Sequence, residues 1–153
     1  MNEFRPYEDK LAGLIASLSP AARRRMTAEI AKQLRVSQQQ RIKRQQAPDG
    51  TPYAARKRQP VKGKRGRVKR EMFMKLRTNR YMKAKGTDNA AAVEFVGRVQ
   101  RIARVHQEGL KDKPNRYSES VQYEARPLLG IDKTSIQLIE KELLITLSES
   151  FKN

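Results

Sequence analysis

The sequence predicts an α+β fold with N-terminal helices, a small antiparallel sheet built on a β-hairpin, and a C-terminal helix packed on that sheet. Apolar residues at helical spacing occur at both ends of the chain, and two strand-like segments flank the turn-rich Gly86-Thr-Asp-Asn89 between them. A length of 153 residues suits one domain with a modest core. We therefore expect a single domain over 1–153, with a helical part at 1–47, a basic loop region at 48–75, and the hairpin, a strand and the C-terminal helix at 76–153.

Two helices are predicted in the N-terminal part. The first carries one apolar stripe at positions i, i+3, i+4 and i+7, formed by Leu11, Leu14, Ile15 and Leu18. Ser19-Pro20 begins the second, because serine accepts from free N–H groups and proline suits the first turn. This helix should run to about Gln46. Its half from Ser37 to Gln46 is nearly all polar, so we expect that half to project outward or to pack on a neighbouring subunit.

The middle of the chain predicts a turn, a short apolar element and the hairpin. Pro48 to Pro52 has turn chemistry, and Met72, Phe73 and Leu76 indicate one or two helical turns. The hairpin strands should span 78–85 and 90–96. Residues 121–125 alternate between apolar and polar until Pro127, so they predict a third strand added to the hairpin.

Two further helices are predicted on either side of that third strand. Val99, Ile102 and Val105 indicate a helix over 98–108 that Gly109 ends, and residues 110–120 predict a polar loop. The C-terminal helix should begin near Asp132 or Thr134. Its buried stripe is expected to comprise Ile136, Ile139, Leu143 and Leu147, widened by Leu138, Leu144 and Ile145.

Positive charge is concentrated in the middle of the chain. The net charge is +18, and residues 41–85 hold seventeen Lys and Arg against Asp49 and Glu71, a net +15 that leaves +3 elsewhere. Such a segment attracts phosphate groups or an acidic protein surface. Because it also repels itself, we expect residues 55–70 to be disordered in the free protein and ordered by a partner.

Composition argues against several classes of site. Without cysteine there is no disulfide, no thiolate metal site and no cysteine nucleophile, and a single histidine, His106, leaves no His-pair metal site. The acids are scattered, so a metal-dependent enzyme acting on DNA ranks last. No apolar run has transmembrane length and the N-terminus is polar. We expect synthesis in the cytosol and no catalytic residue, cofactor, metal, membrane or small-molecule substrate.

Three motif pieces stand in order along the chain. They are Arg41-Ile-Lys-Arg-Gln-Gln-Ala-Pro48-Asp-Gly-Thr-Pro52-Tyr53, Ala103-Arg-Val-His106-Gln-Glu-Gly109 and Glu124-Ala-Arg-Pro127-Leu-Leu-Gly130. In sequence, order and spacing they resemble the phage virion morphogenesis family, the tail completion proteins of contractile-tailed temperate phages. Glu108 departs from the family pattern, which has an aromatic or apolar residue there. The resemblance implies a structural protein that completes the tail at its head-proximal end and prepares it for joining the capsid.

The resemblance also implies location, partners and motif residues. The protein would belong to the virion tail, after assembly in the host cytoplasm, as a homo-oligomeric ring that contacts other tail and neck proteins, with DNA contact compatible but not required. The structural motif would consist of His106, Gly109, Arg126, Pro127 and Gly130. The candidate partner contacts lie at 56–70, which we call the basic segment, and comprise Arg56, Lys57, Arg58, Lys62, Lys64, Arg65, Arg67, Lys69 and Arg70.

Three features each have more than one interpretation. The basic stretch at 41–85, with Tyr53, Phe73 and Tyr81 interleaved as stacking groups, also suits a nucleic-acid-binding protein without catalytic activity, but no nucleic-acid motif lies within it. His106 is interpreted as an imidazole that hydrogen-bonds across the turn before Gly109 rather than as a catalytic group. Arg126 is expected to pair with a nearby carboxylate, such as Glu124 or Asp132, and fix the turn.

Overall fold

The computed structural model describes residues 5–56 and 71–152 and confirms the predicted α+β class. The helices are α1 (Arg5–Ala16), α2 (Pro20–Lys43), α3 (Gly97–Glu108) and α4 (Lys133–Ser150). The strands are β1 (Met82–Gly86), β2 (Ala91–Phe95), β3 (Lys111–Asp112) and β4 (Val121–Gln122). Most of the segment expected to be disordered lies outside the described residues. In the described part of the chain, no helix has the length and apolarity needed to cross a membrane.

The described residues form two compact units. The first draws on 1–35, 84–93 and 133–153, and the second on 36–83 and 94–132. The division falls within α2 and within both strands of the hairpin. A single domain over 1–153 stays a prediction.

The core of the first unit confirms the helical stripes that periodicity predicts. Its buried members are Leu18, Met26, Ile30, Leu34 and Leu147. The stripe residues Leu11, Leu14 and Ile15 of α1 pack against them, as do Ala91 and Val93 of β2 and Leu138, Ile139 and Leu143 of α4. The C-terminal helix is thus packed on the hairpin, as predicted.

Helix α4 buries a narrower face than its sequence suggests. Ile136, Leu144 and Ile145 are exposed, so the prediction that they belong to the buried stripe is wrong. Part of the inner face is polar instead. Glu142 is buried and accepts a hydrogen bond from Gln33 Nε2 at 2.7 Å, which satisfies the carboxylate and displaces apolar side chains from that face.

The tip of the hairpin lies directly against α2. The Thr87 N–H donates to Ala90 O at 2.8 Å, and Thr27 Oγ1 donates to Thr87 O at 2.5 Å. A Cβ built on Gly86 would lie 2.3 Å from the backbone nitrogen of Ala28. This close approach of two backbones leaves room only for glycine at position 86.

The predicted third strand does not join the hairpin. β4 is two residues long and pairs antiparallel with β3, with Lys111 opposite Gln122 and Asp112 opposite Val121. The described residues therefore form two separate two-stranded sheets. An alternating pattern defines the two faces of a strand but not its partner. Here the partner comes from the polar segment that the sequence predicts as a loop.

Candidate functional site

The motif pieces that lie far apart in sequence meet in the second unit. We call their contact region the motif junction, formed by residues 38–55 and 103–132. The predicted turn at its start is present: Gly50 has φ +86°, and the Ala47 N–H donates to Thr51 O at 2.9 Å.

Arg41 lies at the centre of the motif junction with only 2% of its surface exposed. Its Nη2 donates to Gln38 Oε1 at 2.7 Å and to Leu128 O at 2.6 Å. Its Nη1 donates to Gly130 O at 3.4 Å and pairs with the Asp132 carboxylate at 3.2 Å. A buried guanidinium is tolerated when such acceptors surround its planar fork. Gln38 and Arg41 on the polar half of α2 are therefore buried within this unit, so the expectation that this half projects outward is wrong for them. Its packing on a neighbouring subunit stays a prediction.

Two glutamines satisfy the backbone of the irregular stretch 128–130. Gln107 Oε1 accepts from the N–H groups of Leu128 and Leu129 at 2.8 and 2.9 Å, and its Nε2 donates to Leu129 O at 2.9 Å. Gln38 Oε1 also accepts from the Gly130 N–H at 3.1 Å. Buried backbone polar groups need such partners where no helix or strand supplies them. These side chains fix the path of the chain into α4.

Gly130 touches the turn that the first motif piece forms. A Cβ on Gly130 would lie 2.4 Å from Pro48 Cγ and 2.8 Å from Pro48 Cβ. The proline ring has little freedom to move away. Glycine at 130 therefore lets the two motif pieces come into contact.

Arg126 hydrogen-bonds backbone rather than a carboxylate. Its Nε donates to Ala54 O at 2.8 Å and its Nη2 to Ala55 O at 3.0 Å, while its backbone N–H donates to His106 O at 2.7 Å. The expected pairing with Glu124 or Asp132 is wrong, since Asp132 pairs with Arg41. The buried guanidinium thus fixes the chain immediately before the basic segment.

Pro127 contributes its carbonyl to the motif junction. Tyr53 donates its hydroxyl to Pro127 O at 2.8 Å. Burial raises the pKa of the Tyr53 phenol to about 12, against a smaller opposing effect of Arg41. The phenol therefore remains a donor at neutral pH.

His106 lies in a row of aromatic rings. Its centroid is 4.9 Å from that of Phe73 and 5.2 Å from that of Tyr123, both edge to face, and Phe73 in turn meets Tyr53 at 5.5 Å. Nδ1 is buried without a hydrogen-bond partner among the described residues. The expected imidazole hydrogen bond across the turn is therefore absent there, and the backbone carbonyl of His106 makes the link instead.

Burial and positive charge both keep the imidazole neutral. The pKa of His106 is lowered from its ordinary value, first by burial and then by the charges of Arg126 and Arg56. A neutral ring suits the apolar row in which it lies. Its contacts are those of a packing residue.

Gly109 ends α3 as predicted. It adopts the left-handed conformation with φ 67° and ψ 61°, and its N–H donates to Val105 O. A Cβ there would also lie 2.8 Å from Ala125 N. The glycine therefore serves both the helix end and the passage of the third motif piece beside it.

Of the nine candidate partner contacts, only Arg56 lies within the described residues, where it is exposed. The other eight, at 57–70, lie outside them. Gln45 fixes the chain on the far side of that gap, since its Oε1 accepts from the Met72 N–H and its Nε2 donates to Met72 O, each at 2.9 Å. The residues on both sides of the basic segment, Ala54 and Ala55 before it and Met72 after it, are thus hydrogen-bonded to side chains of the second unit.

Sequence reasoning missed four polar residues of the motif junction: Gln38, Arg41, Gln45 and Gln107. Arg41, Gln45 and Gln107 lie within the first two motif pieces, and that membership was the available signal. Nothing in the hydrophobic pattern around Gln38 or Arg41 indicates burial. Among residues 5–56 and 71–152, no group of three or more His, Cys, Asp or Glu side chains is arranged to hold a metal ion.

The residues of the motif junction lie within a match to a known protein family. The model of the phage virion morphogenesis family matches residues 2–148. The chain belongs to this family. A curated family relative, "Tail completion protein S" of Escherichia phage P2, is 50% identical over 145 residues, which cover 94% of this chain and 97% of that protein. No solved structure matches this chain significantly.

Proposed function

We propose that this protein completes the phage tail, acting at its head-proximal end and preparing that end for joining to the capsid. The identity of 50% to a protein named for tail completion, over nearly the full length of both chains, carries this proposal. The role is structural and no reaction is catalysed. The motif junction supports this, since its buried polar side chains are engaged in holding backbone.

We further infer that the basic segment docks on acidic surfaces of neighbouring tail and neck proteins. Its charge supports this, because opposite charges speed encounter and select partners. The hydrogen bonds of Arg126 to Ala54 and Ala55, and of Gln45 to Met72, support it as well, since they fix the residues on both sides of the segment. DNA contact is not required by this proposal. The protein would be found on the virion tail, after assembly in the host cytoplasm.

We also infer that several copies form a ring on the tail. The exposed apolar residues of α4, Ile136, Leu144 and Ile145, support association, because a lone subunit leaves them in water. A six-fold ring follows from the family's place on the tail axis and not from any residue. A virion reconstruction with one asymmetric copy would refute the ring.

Disruption of the gene in the phage or prophage that encodes this chain tests the main proposal. We expect electron micrographs of the lysate to show filled heads and separate tails with few joined particles, and a plasmid-borne wild-type gene to restore joined particles. A normal yield of joined particles after disruption would overturn the proposal.

Binding to nucleic acid is the competing function, which the net charge of +18 favours. A gel shift with DNA or RNA at increasing salt concentration distinguishes it. Binding driven by phosphate contacts weakens steeply as salt rises, because the release of counterions from the nucleic acid gains less entropy at a higher salt concentration.

A further inference from the structure

The turn between β3 and β4 carries the most exposed large hydrophobic side chain of the described residues. Tyr117 is 89% exposed, whereas the other exposed large hydrophobic residues described range from 40% to 65%. A single exposed apolar residue is ordinary on a protein surface. The way in which the chain holds Tyr117 is what indicates a role.

The turn that presents Tyr117 is built by specific hydrogen bonds. Asn115 Oδ1 accepts from the Tyr117 N–H at 2.9 Å, and Asn115 O accepts from the Ser118 N–H at 3.3 Å. An asparagine that bonds the backbone two residues on forms an ordered turn, and Pro114 fixes the dihedral angle just before it. The backbone at position 117 is therefore ordered before any partner binds, so binding loses little additional conformational entropy there.

The base of this turn is tied to the rest of the second unit. Arg101 of α3 forms an ion pair with Asp112 of β3. On the opposite strand Gln122 Nε2 donates to Gly109 O at 2.7 Å. The next residue, Tyr123, packs its ring on His106. The turn thus projects from a fixed base.

The charges beside Tyr117 define the partner it fits. Lys113 and Arg116 are exposed, and neither forms an ion pair with a described residue. Exposed Glu119 follows in the same turn, so the turn carries two cations and one anion. An aromatic ring beside this net positive charge complements an apolar pocket with carboxylates on its rim. A second copy of this chain, which can associate through α4, is a poor match at this turn, because it has 16 Asp and Glu against 34 Lys and Arg and so offers few carboxylates for such a rim. Single-stranded nucleic acid is also a poor match, since it is held by successive aromatic side chains rather than one.

We propose that Tyr117 inserts into an acidic-rimmed apolar pocket on another protein of the phage tail, with Lys113 and Arg116 pairing with the carboxylates of that rim. This rests on the proposed function, and it adds a second contact besides the basic segment. Tyrosine and arginine are common among the residues that dominate interface energies, because each combines large contact area with polar groups.

Replacement of Tyr117 in the complementation assay tests this contact. We expect Tyr117→Ala to lower the yield of infectious particles, and the amount of this protein retained on purified tails, by at least about tenfold, as truncation of an interface anchor does. Tyr117→Phe keeps the ring and should stay within about twofold of wild type. Asn115→Ala should give an intermediate loss, since it loosens the turn and leaves the ring. The melting temperatures of the purified variants should match that of wild type.

Three outcomes would overturn the proposal. The first is full complementation by Tyr117→Ala. The second is a change in the oligomeric state of the purified protein on the same substitution, which would make a second copy the partner. The third is a matching loss of binding to a random-sequence DNA fragment, which would make nucleic acid the partner. A normal yield of joined particles after disruption of the gene would instead refute the proposed function, and this contact with it.

Discussion

Gly130 lies where a single carbon atom decides whether two motif pieces meet. Gly130→Ala places a Cβ 2.4 Å from Pro48 Cγ, so the turn at Pro48 or the stretch at 128–130 has to move. We expect the free energy of unfolding to fall by about 1–3 kcal/mol, the usual cost of overpacking, in urea titrations. Gly97→Ala is the matched control, because nothing lies within 4 Å of its Cβ. Equal stability of the two variants would contradict this role for Gly130.

His106 makes stability depend on pH in a window where no other side chain of ordinary pKa titrates. It is the chain's only histidine, and burial followed by the charges of Arg126 and Arg56 lowers its pKa in the folded state. The unfolded chain therefore binds the proton more readily, and stability present above about pH 6.5 is lost as the pH falls below it.

The substitution His106→Phe isolates this effect, because phenylalanine keeps the aromatic row and removes the titration. Unfolding of the wild-type protein by urea should require less denaturant at about pH 5.5 than at about pH 7.5. In His106→Phe this difference should shrink, leaving only the slope that carboxylates contribute. An unchanged difference would mean that the imidazole is as easily protonated in the folded protein as in the unfolded chain.

At the level of elements, the end of α2 is fixed by its polar face. Arg41→Ala removes the donor that reaches the carbonyls of Leu128 and Gly130 and the ion pair with Asp132. Removing one partner of a buried ion pair commonly costs about 3–5 kcal/mol. Urea unfolding should show a loss of that order, and hydrogen exchange should speed up over 128–132. Exposed Arg44 serves as the control, since Arg44→Ala should change stability by no more than about 0.5 kcal/mol.

The same helix shows what the sequence can and cannot predict. The stripe of Met26, Ile30 and Leu34 is a local pattern with one physical solution, so its burial could be predicted. The burial of Arg41 depends on Gly130, 89 positions along the chain. No local pattern carries that information, and a polar stretch is more often solvated.

Strand pairing and helix faces failed for related reasons. The alternation at 121–125 predicted an extended segment near Val121 but not its partner, β3. On α4 the apolar residues exceed what one face can bury, and Leu144 at 65% exposure lies outside that face. In the motif junction the resemblance pointed to His106, Arg126 and Gly130. Their contacts with backbone and rings needed the structure, because each joins segments that are distant in sequence.

For the whole molecule, fewer positive charges at 41–85 are available to a partner than the number of basic residues there suggests. Of the seventeen basic residues at 41–85, Arg41 is buried in the motif junction and Arg77 pairs with Glu71 at 3.0 Å. Arg41 and Arg77 are therefore less available to a partner than exposed Arg56. Substitutions at the start of the basic segment are therefore best suited to distinguish docking on acidic proteins from nucleic-acid binding.

The triple change of Arg56, Lys57 and Arg58 to alanine distinguishes the two. If the segment docks on acidic tail or neck proteins, stability should stay within about 0.5 kcal/mol, as for other surface changes, while lysates accumulate filled heads and separate tails. If the segment binds nucleic acid, the change should weaken binding to all sequences and flatten its salt dependence, because fewer counterions are released.

Arg24, Arg25 and Lys32 are exposed on α2, and their change to alanine removes the same charge elsewhere. Docking predicts normal particles from this control and few from the first variant. Normal virion yield from both variants would rule out docking through Arg56, Lys57 and Arg58, and equal losses from both would assign the effect to net charge rather than to the segment.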